Sequence, residues 1–381
     1  MQVSEGTRVI PGIRMKTFVE NAKQRLLSIE PYRPGKPIAE VKRELKLRHV
    51  VKLASNETPY GPSKKVLAAL RRESVSINRY PDGGCFYLRQ ALAKRLGVAG
   101  NQLIFGNGSD EIIVMTIRAF VGEGEEVVVA RPSFLIYEIA ARIEGAVVKS
   151  VPLKGFHYDL EGMAAAVTPK TKLVFIGNPD NPAGTYVSAR QLEEFLKTIR
   201  PDIGVFVDEA YFEYVNTGDY PDTVKLLSRY GNLIITRTFS KIYGLAGLRI
   251  GYGIARPEVV DILNRVREPF NVDSLAQAAA LACLKDGAYY RRIARETEKE
   301  KQGLYRALDK LGRPFVKSAT NFVLVDVGQG TPVAEKLLRK GVIVRDMKFW
   351  GLENFIRVTI GKKEENRKFI KALLEVASSQ K

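Results

Sequence analysis

Two cysteines, two histidines and a single tryptophan are all that this 381-residue chain holds of those three types. Cys85 and Cys283 cannot build a disulfide framework or a four-thiolate zinc site. His49 and His157 leave little room for a histidine-rich metal centre or a Ser–His–Asp triad. No run approaches the roughly 18 apolar residues that a membrane-crossing helix needs. The segment Met1 to Lys16 has scattered charge and no apolar stretch, so it does not read as a signal peptide. Together these absences predict a cytoplasmic protein. Acidic residues are also scarce: 42 Asp and Glu face 60 Lys and Arg, a net charge of +18. Such an excess suits nucleic acid, an acidic membrane surface or anionic small molecules. The cations are spread along helix faces, with no zinc-finger spacing, helix-turn-helix signal or RNA-binding aromatic motif. Neither nucleic acid nor membrane is therefore expected as a partner.

Apolar residues make up 45% of the chain, enough for a sizeable core, and the length predicts about two or three structural units. The first fifty residues carry eleven Lys or Arg against five Asp or Glu. Pro31, Pro34, Gly35 and Pro37 keep that part out of regular structure, as expected of an arm that packs on something else. From about residue 50, short apolar runs alternate with amphipathic segments. Gln102–Phe105, Glu126–Ala130, Lys172–Gly177, Ile203–Val207, Leu233–Thr236 and Leu248–Ile254 read as strands. Ser63–Glu73, Ser109–Val121, Phe134–Ile143 and Ser188–Ile199 read as helices. Continuous apolar strands separated by helices predict an α/β fold with a mainly parallel sheet covered on both faces. Around Pro269 the pattern changes. A long helical stretch, Ser274 to about Leu311, precedes strand Phe322–Val327, helix Pro332–Lys340, strands Val342–Arg345 and Ile356–Ile360, and helix Lys363–Ala377. This reads as a smaller α/β unit. The expected division is 1–49, 50–270 and 271–381.

Open α/β sheets bind ligands at the carboxyl ends of their strands. After Gln102–Phe105 comes Gly106-Asn107-Gly108-Ser109-Asp110-Glu111, directly before a helix. Glycines, a hydroxyl and free backbone N–H groups at a helix start suit a phosphate. The pattern is not G-x-G-x-x-G, and no P-loop occurs, so a P-loop nucleotidase is not expected. After Lys172–Gly177 comes Asn178-Pro179-Asp180-Asn181-Pro182-Ala183-Gly184, a proline-fixed turn expected to point its amides outward. After Ile203–Val207 comes Asp208-Glu209-Ala210-Tyr211, and a carboxylate leaving a buried strand needs a cation. After Leu233–Thr236 comes Arg237 to Arg249, with Lys241 among hydroxyls and glycines as a candidate amine nucleophile. Singly, these patterns also suit a tight turn, a buried ion pair or a surface lysine. Their succession along one sheet is far more specific.

From about Ile29 to the last helix, the chain resembles the pyridoxal-phosphate aminotransferases of fold type I, and within them the histidinol-phosphate aminotransferases. The stretches that carry the resemblance are Leu53-Ala54-Ser55-Asn56-Glu57 with Pro59-Tyr60-Gly61-Pro62, Arg79-Tyr80-Pro81-Asp82, Gly106–Glu111, Asn178–Gly184, Asp208–Tyr211, Thr238–Arg249, Asn321-Phe322 and Ile356–Gly361. It implies a large domain with a mainly parallel seven-stranded sheet between helices, a smaller α/β domain, and a homodimer with shared active sites. It implies pyridoxal 5'-phosphate as cofactor and no metal. Lys241 would join the cofactor aldehyde and shuttle the substrate proton. Asp208 would pair with the ring nitrogen, Tyr211 and Asn181 would bond the ring oxygen, and Phe134 would stack on the ring. Ser109, Asp110, Thr238, Ser240 and Arg249 would hold the phosphate, joined by Tyr80 from a second subunit. Arg357 would clamp a substrate carboxylate, with Asn56 at the same end. Tyr32 and Arg345 would line the side-chain pocket, Arg345 facing a substrate phosphate.

The implied reaction converts L-histidinol phosphate and 2-oxoglutarate to imidazole-acetol phosphate and L-glutamate, as in histidine biosynthesis. The sequence departs from the pattern at Ala183, where the family usually has threonine. Phe134 stands for the commoner tyrosine, and Trp350 stands where many relatives carry tyrosine. The bulk of Trp350 keeps an aromatic amino acid aminotransferase as the alternative, with threonine-phosphate decarboxylase a more distant one.

Overall fold

A computed structural model describes residues 18–31 and 35–378. Its strands in chain order are β1 (Val51–Leu53), β2 (Leu103–Gly106), β3 (Glu126–Arg131), β4 (Val147–Pro152), β5 (Thr171–Gly177), β6 (Gly204–Asp208), β7 (Leu233–Thr238), β8 (Gly251–Ile254), β9 (Phe315–Val316), β10 (Phe322–Asp326), β11 (Val342–Asp346) and β12 (Phe355–Thr359). Seven of them form one sheet in the order β2-β8-β7-β6-β5-β3-β4. Strands β3 to β7 pair in parallel, and β8 runs antiparallel to both β7 and β2. This is the mainly parallel seven-stranded sheet expected. Alternate side chains explain why its strands read as unbroken apolar runs. Val174, Ile176, Val205, Val207 and Ile235 enter the core on one face; Leu173, Phe175, Phe206 and Ile234 enter a second core on the other. A strand buried on both faces has no polar side to show.

The second sheet has the order β1-β11-β12-β10-β9, with β1 parallel to β11. Helices Gly287–Lys310 and Lys363–Ser378 cover its core of Val323, Val325, Val342, Ile356 and Val358. The two sheets share chain across the expected division. Strand β1 joins the C-terminal sheet, whereas helix Ser274–Leu284 packs beside the first sheet, against helices Lys64–Glu73 and Phe86–Leu96. Among the described residues no helix is long and apolar enough to cross a membrane.

Several elements differ from the sequence expectation, four of them for a plain physical reason. Strand β4 went unread because it is an edge strand of mixed composition in which only Val151 is buried. Helix Ile38–Leu45 starts directly after Pro37, inside the arm. The stretch from Ser274 to Leu311 is two helices, Ser274–Leu284 and Gly287–Lys310. Strand β8 begins only at Gly251, because Arg249 takes a left-handed backbone with φ of 49°.

One buried acid gives the fold a pH dependence. Glu213 follows β6, and neither of its carboxyl oxygens has a hydrogen-bond partner. Burial pushes its pKa up to about 8, against the opposing pull of Arg237. The unfolded chain releases this proton near its ordinary value, the folded chain only near 8. The contribution of Glu213 to folding stability therefore falls as pH rises from about 4.5 to about 8 and is level above that. Glu213→Gln removes that slope. Its melting temperature should match or exceed that of the unmutated protein at about pH 8.5 and lose this advantage near pH 5. An unaltered pH profile in thermal melts would assign the titration elsewhere.

Candidate active site

The candidate residues meet at the carboxyl ends of the central strands, in a cavity of about 370 Å³. Ser109 and Asp110 open the helix Ser109–Phe120 that follows β2. Phe134 follows β3, Asn181 follows β5, and Asp208 ends β6 with Tyr211 just beyond. Thr238 ends β7, and Ser240 and Lys241 come next. Lys241 Nζ lies 5.4 Å from the centroid of the Tyr211 ring.

One end of the cavity is built for an anion. The helix N-terminus presents its first N–H groups and the positive end of its dipole. Arg249 reaches there, its Nη1 donating to Ser240 Oγ at 3.4 Å and its Nη2 to Asp110 Oδ2 at 3.2 Å. A side chain at Gly108 would put its Cβ 2.5 Å from Arg249 Nη2, and one at Gly251 would put it 2.5 Å from the Ser109 nitrogen. The glycines thus keep open the space around the guanidinium and the helix start. Arg249 itself holds a non-glycine left-handed conformation, a strain that persists where surrounding contacts dictate it.

Asp208 lies deep in the cavity floor. Its carboxylate accepts from Tyr137 Oη at 2.8 Å, the Ala210 N–H at 3.1 Å and Thr236 Oγ1 at 3.3 Å. Burial nevertheless pushes its pKa up to about 6. The buried ion pair anticipated after β6 belongs to its neighbour instead: Glu209 meets Arg237 at 2.8 Å. Asp208 is thus left with hydroxyl and amide donors alone, an arrangement that favours a cationic ligand atom beside it.

The second sheet supplies the opposite wall. Arg345 and Arg357 are direct partners across β11 and β12. Arg345 stacks on Trp350 with its guanidinium carbon 5.0 Å from the ring centroid. Arg357 donates from Nη2 to the Ala54 carbonyl at 3.2 Å and from Nη1 to Asn181 Oδ1. Asn56, just past β1, has a positive φ of 56° and is held from three sides. Its N–H donates to Thr359 Oγ1, its carbonyl accepts from Asn321 Nδ2, and its Nδ2 donates to Tyr211 Oη at 2.9 Å.

Ser109, Asp110, Phe134, Asn181, Asp208, Tyr211, Thr238, Ser240, Lys241, Arg249, Asn56, Arg345 and Arg357 all line this one cavity. Tyr80 does not. It is 83% exposed and stacks on Phe270 at 4.7 Å, away from the cavity of its own chain. Tyr32 lies outside the described residues. The asparagine turn needs one correction. Only Asn181 faces the cavity; Asn178 is buried and pairs with both backbone groups of Val187, closing the loop. Sequence reasoning missed Tyr137, which sits one helical turn beyond Phe134 and passes in sequence for an ordinary core aromatic.

The family model described as aminotransferase class I and II matches residues 48–373, and the chain belongs to that family. A histidinol-phosphate aminotransferase of Moorella thermoacetica is 49% identical over 360 residues, 94% of this chain and 93% of that protein. Among solved structures, histidinol-phosphate aminotransferase from Sinorhizobium meliloti, in complex with pyridoxal 5'-phosphate, aligns with a TM-score of 0.87 at 28% identity, over 95% of this chain and 98% of that one. L-threonine-O-3-phosphate decarboxylase from Porphyromonas gingivalis aligns with a TM-score of 0.77 at 26% identity, over 86% of this chain and all (100%) of that one.

Proposed function

We propose that this chain is a pyridoxal-phosphate-dependent histidinol-phosphate aminotransferase. It passes the amino group of L-histidinol phosphate to 2-oxoglutarate, working in the cytoplasm as a homodimer. The observation that carries the reading is one cavity with an anion cradle at one end, a buried carboxylate and a lysine in the middle, and two adjacent arginines on the facing wall. The donor set fits the cofactor. The cradle of Ser109, Asp110, Thr238, Ser240 and Arg249 would take the phosphate, Phe134 would stack on the ring, and Asp208 would pair with the ring nitrogen. Tyr211 and Asn181 would bond the ring oxygen. When bound, the cofactor supplies an aldehyde that condenses with amines and a ring that accepts electrons when the substrate α-proton leaves. Lys241 Nζ would hold the cofactor at rest and would then take and return that α-proton. Arg357 offers its fork to the carboxylate of glutamate or 2-oxoglutarate, and Arg345, braced on Trp350, faces the phosphate of histidinol phosphate.

Turnover with histidinol phosphate, phenylalanine and tyrosine, each with 2-oxoglutarate, tests the substrate assignment. Histidinol phosphate should lead by orders of magnitude. Arg345→Gln should raise its KM about a hundredfold and leave the aromatic donors nearly unchanged, since it removes one charge-assisted bidentate contact. A preference for phenylalanine would establish the aromatic alternative, and carbon dioxide release without an acceptor the decarboxylase.

The exposed Tyr80 supports a shared site. Val75, Ile77, Phe86 and Tyr87 are exposed near it in sequence, an apolar group suited to a second copy. At limiting cofactor, mixing the inactive Lys241→Ala protein with the cofactor-weakened Tyr80→Ala protein should give more activity than either alone. Statistical exchange in a two-fold dimer gives about a quarter of the sites both intact groups. No recovery after verified subunit exchange would place Tyr80 outside the site.

A further inference from the structure

Asp180 sits in the same turn as Asn181 but does not line the cavity. It is fully buried. Its Oδ1 accepts from Ser133 Oγ at 2.9 Å and from Tyr158 Oη at 3.0 Å, and its Oδ2 accepts from the Ala183 N–H at 3.0 Å. These donors come from three separate segments. Ser133 immediately precedes Phe134, Ala183 belongs to the turn that carries Asn181, and Tyr158 lies beyond β4. Tyr158 Oη also accepts from the Gly177 N–H at 2.9 Å, where β5 ends. The Ser133 carbonyl in turn accepts from Trp350 Nε1 at 3.0 Å, and Trp350 is the ring on which Arg345 stacks.

Such an arrangement is expensive unless every member is satisfied. Ser133 and Tyr158 hold one hydroxyl proton each, and both can be directed at Asp180 only while that side chain accepts on the Oδ1 side. Burial pushes the carboxyl up to about 6, and its hydrogen bonds act in the opposite sense. Ser133 Oγ and Tyr158 Oη also lie 2.9 Å apart. An asparagine has one acceptor oxygen, so its NH₂ would face either the Ala183 N–H or the hydroxyls, and in the second case the hydroxyl protons would have to turn away from residue 180 and the network rearrange.

We infer that Asp180 is a positioning residue that joins the Phe134 wall, the Asn181 turn and, through Ser133 and Trp350, the Arg345 side of the cavity into one unit. The inference rests on the proposed function. Asp180 touches neither cofactor nor substrate; it sets the angle at which Phe134 and Asn181 meet the ring, and the seat of the tryptophan that braces Arg345.

The test uses Asp180→Asn, Ser133→Ala and Ser133→Thr in the full chain. Trp350 is the single tryptophan, so emission of the cofactor-free protein, excited selectively at tryptophan, reports its surroundings alone. In the loaded enzyme, circular dichroism of the visible cofactor band reports ring orientation. Asp180→Asn and Ser133→Ala should each shift the Trp350 emission, weaken cofactor retention about tenfold and diminish the visible dichroism. Each should also raise KM for the amino donor more than it lowers kcat. Ser133→Thr, which keeps the hydroxyl, should restore the emission and the dichroism. Combining the two damaging changes should give less than the sum of their effects, because they break one network. Should Asp180→Asn fail to fold, the two Ser133 variants decide alone. Altered melting temperature with unchanged emission, dichroism and KM would reduce the network to a structural one and overturn the inference. If the unmutated protein develops no visible band with pyridoxal phosphate, the proposed function falls, and this inference with it.

Discussion

Lys241→Ala should lower transamination by about 10⁴-fold, the full range of a positioned proton-transfer group, with a further loss from the missing covalent link. The cradle at the start of helix Ser109–Phe120 does not depend on Lys241, so the variant still binds pyridoxal phosphate. Its bound cofactor keeps the absorbance of the free aldehyde, and borohydride no longer fixes it to the chain. Mass spectrometry of the reduced protein and single-turnover kinetics measure the two losses separately. Transamination retained at even a hundredth of the normal rate would assign the proton transfer to another group. Tyr211, whose ring centroid lies 5.4 Å from Lys241 Nζ, would be the first to test.

Asp208→Asn should reduce kcat by about 10³-fold, the scale of a lost electrostatic contact in a water-poor site. Asparagine keeps the shape and can still accept from Tyr137 Oη, but its NH₂ then faces the Ala210 N–H, so the melting temperature of the variant is read beside kcat. It cannot be negative, and a ring nitrogen beside it has no reason to stay protonated. A pH dependence follows from the same group. Without ligand, burial holds the Asp208 pKa near 6. A cationic ring nitrogen requires the ionised form, so cofactor binding releases the carboxyl proton. Cofactor affinity therefore falls as pH drops through about 6, and that component vanishes in Asp208→Asn. Cofactor titrations at several pH values check this. A variant with the unmutated protein's pH profile would separate Asp208 from the ring nitrogen.

Much of this site was legible before any coordinates. The reason is local: each of Ser109, Asp208, Thr238, Ser240 and Lys241 stands within a few residues of an apolar run, and a run buried on both faces announces its own end. What depends on distant partners was less readable. Tyr137 gives no sign in sequence that its hydroxyl meets Asp208, because the contact joins helix Leu135–Glu144 to β6. Asn178 and Asn181 look equivalent in the turn. Only the pairing of Asn178 with Val187 turns one inward and leaves the other to the cavity. Strand β1, three residues long, is too short for periodicity to reveal, although it delivers Asn56. The left-handed backbone at Arg249 likewise hides inside what reads as the start of a strand.

The pairing of β1 with β11 also bears on how the protein is made. Val51 lies opposite Val342, so on a translating ribosome β1 waits for roughly 290 further residues, or tens of seconds, before its neighbour exists. The phosphate cradle is already in the chain once β8 has emerged, whereas Arg345 and Arg357 come near the end. In chain order, the residues proposed to hold the cofactor thus precede the two arginines proposed to contact the substrate. The segment around Asn56 stays without its strand partner until synthesis is almost complete.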